Sequence, residues 1–227
     1  MPALSLDGHL GRPVAIDLCH TCQAFWFDGY ESLQLAPASV LGLFREIGER
    51  VGAAAAPLSD ASRCPRCGQH LSLIKDQQRN TRFEYRGCPQ LHGRLISFFN
   101  FLREKDFVRP LSPAQIDALR KQVASVNCSN CGAPVDLAKG GACAHCGSPL
   151  SMLDLGQADA LVTKLRAGST AASATVDPAL PLALERARRD VNTAFAAFDQ
   201  EPDFFDRAAS AGLVGAALSS MARWIKS

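Results

Sequence analysis

Eight of the nine cysteines fall in four C-x2-C pairs, Cys19/Cys22, Cys64/Cys67, Cys128/Cys131 and Cys143/Cys146, and Cys88 stands apart. A two-residue spacer lets one tight turn aim two sulfurs at a common point, which is half of a tetrahedral zinc site. A disulfide framework is the competing reading of so many cysteines, and it belongs to secreted chains. The N-terminus here has no basic stretch followed by an apolar core, so a cytoplasmic setting is expected. The chemistry expected is thiolate coordination of zinc, with two Zn2+ per chain.

The second half of the set is the most compact. Cys128-Ser129-Asn130-Cys131-Gly132 and Cys143-Ala144-His145-Cys146-Gly147 are separated by a short stretch in which 139–141 can reverse the chain. Residues 134–137 and 149–153 are expected as short strands leaving the two turns. Four cysteines fill the tetrahedron and leave no position for water, so the site is structural rather than catalytic. So small a ribbon has little core, and the metal must supply much of its folding energy. His145 is expected as an exposed loop residue.

The first half leaves two ligand sets open. Cys19, Cys22, Cys64 and Cys67 form a four-cysteine site that uses every pair, and this is the set expected. Alternatively, Cys64 and Cys67 join Cys88 and His92 across a hairpin, which leaves Cys19 and Cys22 without a full set. Trp26 and Phe27 are expected to cover the Cys19 turn and exclude water from its thiolates.

The elements that must position these turns follow from pattern. Residues 14–18 read as a strand, and Pro37 opens a helix carrying Val40, Phe44, Ile47 and Val51 on one stripe. The alanine-rich stretch 52–57 links to a hairpin over 71–86. Phe98, Phe99, Phe101, Leu102 and Phe107 supply core. Ser112-Pro113-Ala114-Gln115 is a capping-box helix start. A short helix over 157–166, a flexible linker, and two amphipathic helices complete the chain. Leu184, Ala187, Val191, Phe195 and Phe198 mark the first of those helices, and Val214, Ala217, Leu218, Met221 and Ile225, with Trp224, mark the second. The fold expected is small mixed α+β: two zinc-ribbon-like modules joined by helices, with a C-terminal helical hairpin. Its segments are a split ribbon with an inserted helix (1–110), a second ribbon with flanking helices (111–167), a linker (168–180) and a helical segment (181–227).

The stretch Cys19-x2-Cys22-x3-Trp26-Phe27-Asp28-Gly29-x-Glu31 resembles the second half of the bacterial zinc-finger family named after the transcription factor IIB zinc ribbon. Cys64-Pro65-Arg66-Cys67-Gly68 resembles that family's first half, so the order is reversed here, and Tyr30 intervenes before Glu31. The resemblance covers about 30 residues in two pieces. It implies zinc binding and says almost nothing of activity.

Formal net charge is +2, and eight thiolates with two dications bring it to about −2. That is a poor balance for a general polyanion binder. A non-enzymatic interaction or adaptor module is therefore expected, partnered by another protein or by self-association through the C-terminal helices. The alternative is a nucleic-acid-binding ribbon whose 79–86 hairpin carries Arg79, Arg82, Phe83, Tyr85 and Arg86. Arg82, Arg86, His92, Arg94 and Arg103 are its candidate binding residues. An enzyme using Cys88 or His92 is a third class, but no phosphate loop, H-E-x-x-H or nucleophile elbow is present. Neither C-terminal helix suits a membrane span.

Overall fold

The computed structural model describes residues 1–48, 58–78, 81–168, 179–196 and 202–226. Six strands, β1 (Ala3–Asp7), β2 (Pro13–Cys19), β3 (Ala24–Asp28), β4 (Ser72–Gln78), β5 (Thr81–Gly87) and β6 (Gly93–Ser97), form one sheet in the order β1-β2-β3-β6-β5-β4. Every neighbouring pair is antiparallel. The order matters more than the count. The hairpin β4–β5 is followed by a turn that sends β6 back between β5 and β3, and β6 thereby joins two hairpins that are distant in sequence.

β3 shows why the sheet is buried on both faces at its centre. Successive side chains of a strand point to opposite sides, and Phe25 and Phe27 enter the main core while Ala24 and Trp26 enter a second cluster with Cys64, Leu71, Cys88 and Leu95. Trp26 and Phe27 therefore do not together cover the Cys19 turn as expected: Phe27 faces the main core, and Trp26 packs with Cys64 and Cys88, with Cys22 against that cluster. Two helices follow β3, α1 (Glu31–Gln34) and α2 (Pro37–Gly48). Val40, Leu41, Phe44 and Ile47 of α2 pack into the main core. After β6, α3 (Phe98–Glu104) buries Phe98, Phe99, Phe101 and Leu102, and Ser97 caps it by accepting from the Asn100 amide at 3.2 Å. The aromatic run is core.

The chain continues through β7 (Val108–Pro110), α4 (Pro113–Gln122), β8 (Ser125–Asn127), β9 (Pro134–Asp136), β10 (Ser151–Leu153) and α5 (Leu155–Gly168). The capping box of α4 is formed in both directions: Ser112 Oγ accepts from the Gln115 amide at 3.3 Å, and the Ser112 amide donates to Gln115 Oε1 at 3.1 Å. β8 pairs with β9, but β10 pairs with β7. The segment carrying the second cysteine set is thus stitched to the preceding segment instead of closing on itself. All three residues of β10 are buried, so the strand needs cover that β9 alone cannot give.

Two more helices end the described chain, α6 (Leu180–Ala196) and α7 (Pro202–Lys226). Leu180, Ala183, Leu184, Ala187 and Val191 of α6 are buried at helical spacing. In α7, Leu213, Val214, Ala216, Ala217, Leu218 and Met221 are buried together, and α7 packs on α2, α6, β8 and β10. These apolar faces were expected to be a docking surface. They are instead spent inside one core cluster that runs from Val14 to Met221. No helix among the described residues is long and apolar enough to cross a membrane. Residues 52–57, Arg79, Phe198 and most of the 168–180 linker lie outside the described residues, as do Val51 and the side chains of Phe195, Trp224 and Ile225.

α7 breaks at Gly212, whose φ of 71° and ψ of 167° are not helical. The break meets the segment that carries the second cysteine set. The Val214 amide donates to Ser129 Oγ at 3.4 Å, and Asn127 Nδ2 donates to the Ser210 carbonyl at 3.0 Å. A Cβ at position 212 would sit 2.5 Å from Ser129 Oγ and 2.8 Å from the Asn127 carbonyl. Gly212→Val is expected to cost on the order of 2–4 kcal/mol, from the left-handed backbone and the overlap together. Chemical denaturation measures the loss, and weakened amide-exchange protection in β8 and α7 with unchanged zinc content locates it.

Candidate metal centres

Three turns share one backbone geometry. In each, the amide four residues after the first cysteine donates to that cysteine's carbonyl: Gly68 to Cys64 at 2.9 Å, Gly132 to Cys128 and Gly147 to Cys143 at 2.8 Å. The glycines adopt φ of 71°, 75° and 71°, which is why glycine follows each second cysteine. The first cysteine's own amide donates five residues on, to Gln69, Ala133 and Ser148. This closed loop fixes both sulfurs on one side of the turn.

The turn at Cys88 is a variant of the same device. The Cys88 amide donates to the Gly93 carbonyl and the Leu91 amide to the Cys88 carbonyl, both at 2.9 Å, and Leu91 takes the left-handed φ of 58°. The second donor is His92, four residues along. β4 leaves the Cys64 turn and β5 returns to Cys88, with Ser72 opposite Gly87, so the hairpin lays one turn against the other.

Two groups of four donors result: Cys64, Cys67, Cys88 and His92; and Cys128, Cys131, Cys143 and Cys146. Within the first, Cys67 Sγ lies 3.6 Å from Cys88 Sγ, and His92 Nδ1 lies 3.8 Å from Cys64 Sγ and 3.6 Å from Cys88 Sγ. Within the second, Cys128 to Cys146 and Cys131 to Cys143 are both 3.7 Å. A tetrahedron with metal–sulfur bonds of 2.3 Å has edges of about 3.8 Å. The donor sets and their spacing fit a zinc ion in each.

Of the two ligand sets left open by the sequence, the structure gathers the second. Cys19 and Cys22 join no group of three or more donors among the described residues. The reason is the sheet. Cys19 pairs opposite Ala24 at one end of β3, while Gly93, next to His92, pairs opposite Asp28 at the other. The intervening strand length is about 13 Å.

The first centre is held by residues of the W-F-D-G-x-E stretch. Trp26, 3% exposed, packs with Cys64 and Cys88 and shields them. Its Nε1 donates to Asp28 Oδ1 at 2.8 Å, and Arg66, inside the Cys64 turn, forms a close ion pair with the same carboxylate. Glu31 accepts from the Asp28 amide at 2.8 Å, and the Gly29 amide donates to the His92 carbonyl at 3.1 Å. The Arg66 hydrogen bond, ahead of the one from Trp26, holds the Asp28 carboxyl below its usual range despite burial. Its stabilisation is therefore complete above the ordinary carboxylate pKa and is lost as pH falls through the lowered value. Burial pushes Glu31 the other way.

The second centre has a polar support that the sequence signalled only by an asparagine inside an aromatic run. Asn100 Nδ2 donates to Asn130 Oδ1 at 2.8 Å, and Asn130 Nδ2 lies 3.7 Å from Cys146 Sγ and 3.0 Å from Ser148 Oγ. Arg103 stacks over Phe99. Burial lowers its pKa, while Glu84 and the sulfurs of Cys146 and Cys128 favour its charge. A cation thus sits beside a site whose four thiolates would outweigh the charge of a bound dication. The sulfurs divide in character. Burial acts on Cys88 and Cys146, but amides and neighbouring donors bring them down to about 6 and about 7. Burial drives Cys128 up to about 11 and Cys131 higher still.

Of the candidate binding residues, only Arg82 and Arg103 share a cleft. Arg86 pairs with Asp60 at 2.6 Å. Arg94 bonds both oxygens of buried Glu104, at 2.9 and 2.7 Å, and lies over the Tyr85 ring. Arg82 and Arg103 line one cleft with Lys75, Glu84 and Asn130. His92 belongs to the first centre, and Phe83 is 6% exposed. Compared with known proteins, the chain matches no family model, no curated protein and no solved structure.

Cys88→Ala is expected to lose one tightly held zinc ion, and Cys19→Ser to keep both closed centres filled. Zinc quantification after dialysis against a weak chelator distinguishes the variants. Asp28→Asn should weaken zinc at the first centre by about 10-fold while sparing the second, because residues behind metal ligands orient them. Competition with a chromophoric chelator reads both affinities.

Proposed function

We propose that the chain is a non-enzymatic zinc protein whose two closed centres hold together a scaffold for binding another protein. The observation that carries this reading is that each centre has four protein donors already at tetrahedral spacing. A metal so enclosed has no open position at which to activate water or polarise a substrate. The partial resemblance to the transcription factor IIB ribbon family supports zinc binding in the same general sense. A reducing, cytoplasmic setting belongs to the proposal, since free thiolates require one.

The face offered to a partner is a cleft of about 560 Å³ beside the first centre. Its rim carries Tyr30, Leu33 and Leu91, which are 75%, 62% and 83% exposed, and its wall carries the Arg94–Glu104 pair. Exposed large apolar residues around a polar anchor suit a protein segment with an apolar side chain. Single-stranded nucleic acid on the 79–86 hairpin fits less well, because stacking needs open aromatic faces. Phe83 is buried and Tyr85 lies beneath Arg94.

Cobalt substitution tests the closed centres. The cobalt protein should show tetrahedral thiolate bands that do not change when azide or cyanide is added. A shift on adding either ion would reveal an open coordination position and overturn the non-enzymatic reading.

A further inference from the structure

Cys19 and Cys22 remain outside both centres, yet their turn shares one feature of the metal turns. The residue after the second cysteine is left-handed there too: Gln23 has φ of 48°, at the position taken by Gly68, Gly132 and Gly147 in the other three. A glutamine held in that conformation is uncommon, and such residues persist only where the surroundings over-determine them. Here the Gln23 carbonyl accepts from the Phe98 amide at 2.8 Å, and Cys19 is locked opposite Ala24 by the β2–β3 ladder. The Cys22 amide donates to Cys19 Sγ at 3.5 Å. His20 and Thr21 at the tip are exposed, and both cysteines are half-buried.

We propose that Cys19 and Cys22 are half of a third zinc site, completed by the same two sulfurs of a second copy of this chain. No cysteine or histidine from elsewhere in the same chain completes the pair. All nine cysteines and all five histidines lie within the described residues, and no third donor gathers with this pair among them. Zinc takes four ligands. A two-fold axis through the ion supplies two identical pairs, the arrangement that an isologous interface gives without any other component. On binding, up to four thiols give up their protons to solvent and form four metal–sulfur bonds, with no change in oxidation state.

The competing use of a C-x2-C pair is thiol–disulfide exchange. Reactive pairs of that kind draw their low thiol pKa from a helix N-terminus or an adjacent cation. This pair instead lies in a turn between two strands, β2 and β3, with the left-handed residue of a metal turn after its second cysteine.

The test uses the full-length, reduced, zinc-loaded protein. Light scattering with zinc quantification should find a dimer holding about five ions. The Cys19→Ser/Cys22→Ser double variant should be a monomer that retains two ions and the wild-type far-UV spectrum. Titrating the wild type with a chelator gives a measurement that needs no variant: the weakest-held ion, one per dimer, should leave together with the dimer signal. A wild type that is monomeric with two ions overturns the proposal. So does a dimer that persists in the double variant, three ions in a monomer, or a Cys19–Cys22 disulfide that forms reversibly at constant zinc. None of these outcomes depends on whether cobalt in the two closed centres responds to azide.

Discussion

A tetrahedral metal site demands four donors within about 4 Å of one another, and short turns can supply only two of them at a time. Everything that brings the second pair to the first is the work of the fold. For the second centre that work is light: two turns fifteen residues apart meet through β8, β9 and the β7–β10 pairing. For the first it requires the β4–β5 hairpin to run out from Cys67 and back to Cys88, and β6 to be inserted against β3. The first centre thus depends on the sheet order, since without it the Cys64 and Cys88 turns are two separate half-sites.

The supporting residues make sense in that light. Trp26 and Asp28 of β3 act on the Cys64 turn, Gly29 after them donates to the His92 carbonyl, and Glu31 at the start of α1 holds the Asp28 amide. They join two stretches that are far apart in sequence. At the second centre, Asn100 and Arg103 of α3 reach the Cys128 and Cys146 side, and the break in α7 at Gly212 seats the C-terminal helix on Ser129. The second centre therefore lies against the main core and the first against the smaller cluster on the other face of β3, and α7 is part of what holds the second in place.

How far this was legible from residues alone differs by element. The second centre was readable because its donors, their glycines and their short spacer all lie within twenty residues. The hairpin over 71–86, the α4 capping box and the aromatic core followed from local pattern. The first centre was not fixed, because a C-x2-C turn announces a half-site and does not name its partner. That choice is made by strand order, which period and propensity do not encode. Gly87 before Cys88 and Gly93 after His92 were the local hints of a turn. The C-terminal helices were legible as helices, but not as buried ones. In α7, buried residues at 213, 214, 216, 217, 218 and 221 extend around the helix rather than along one stripe, and that is the pattern of a helix covered on several sides.

The account stands on which donors share a metal, and a zinc-edge anomalous difference map of the crystallised full-length protein reads that directly. The arrangement described here predicts one peak enclosed by Cys64, Cys67, Cys88 and His92 and another by Cys128, Cys131, Cys143 and Cys146. A peak enclosed by Cys19, Cys22, Cys64 and Cys67, with His92 turned away, would contradict it.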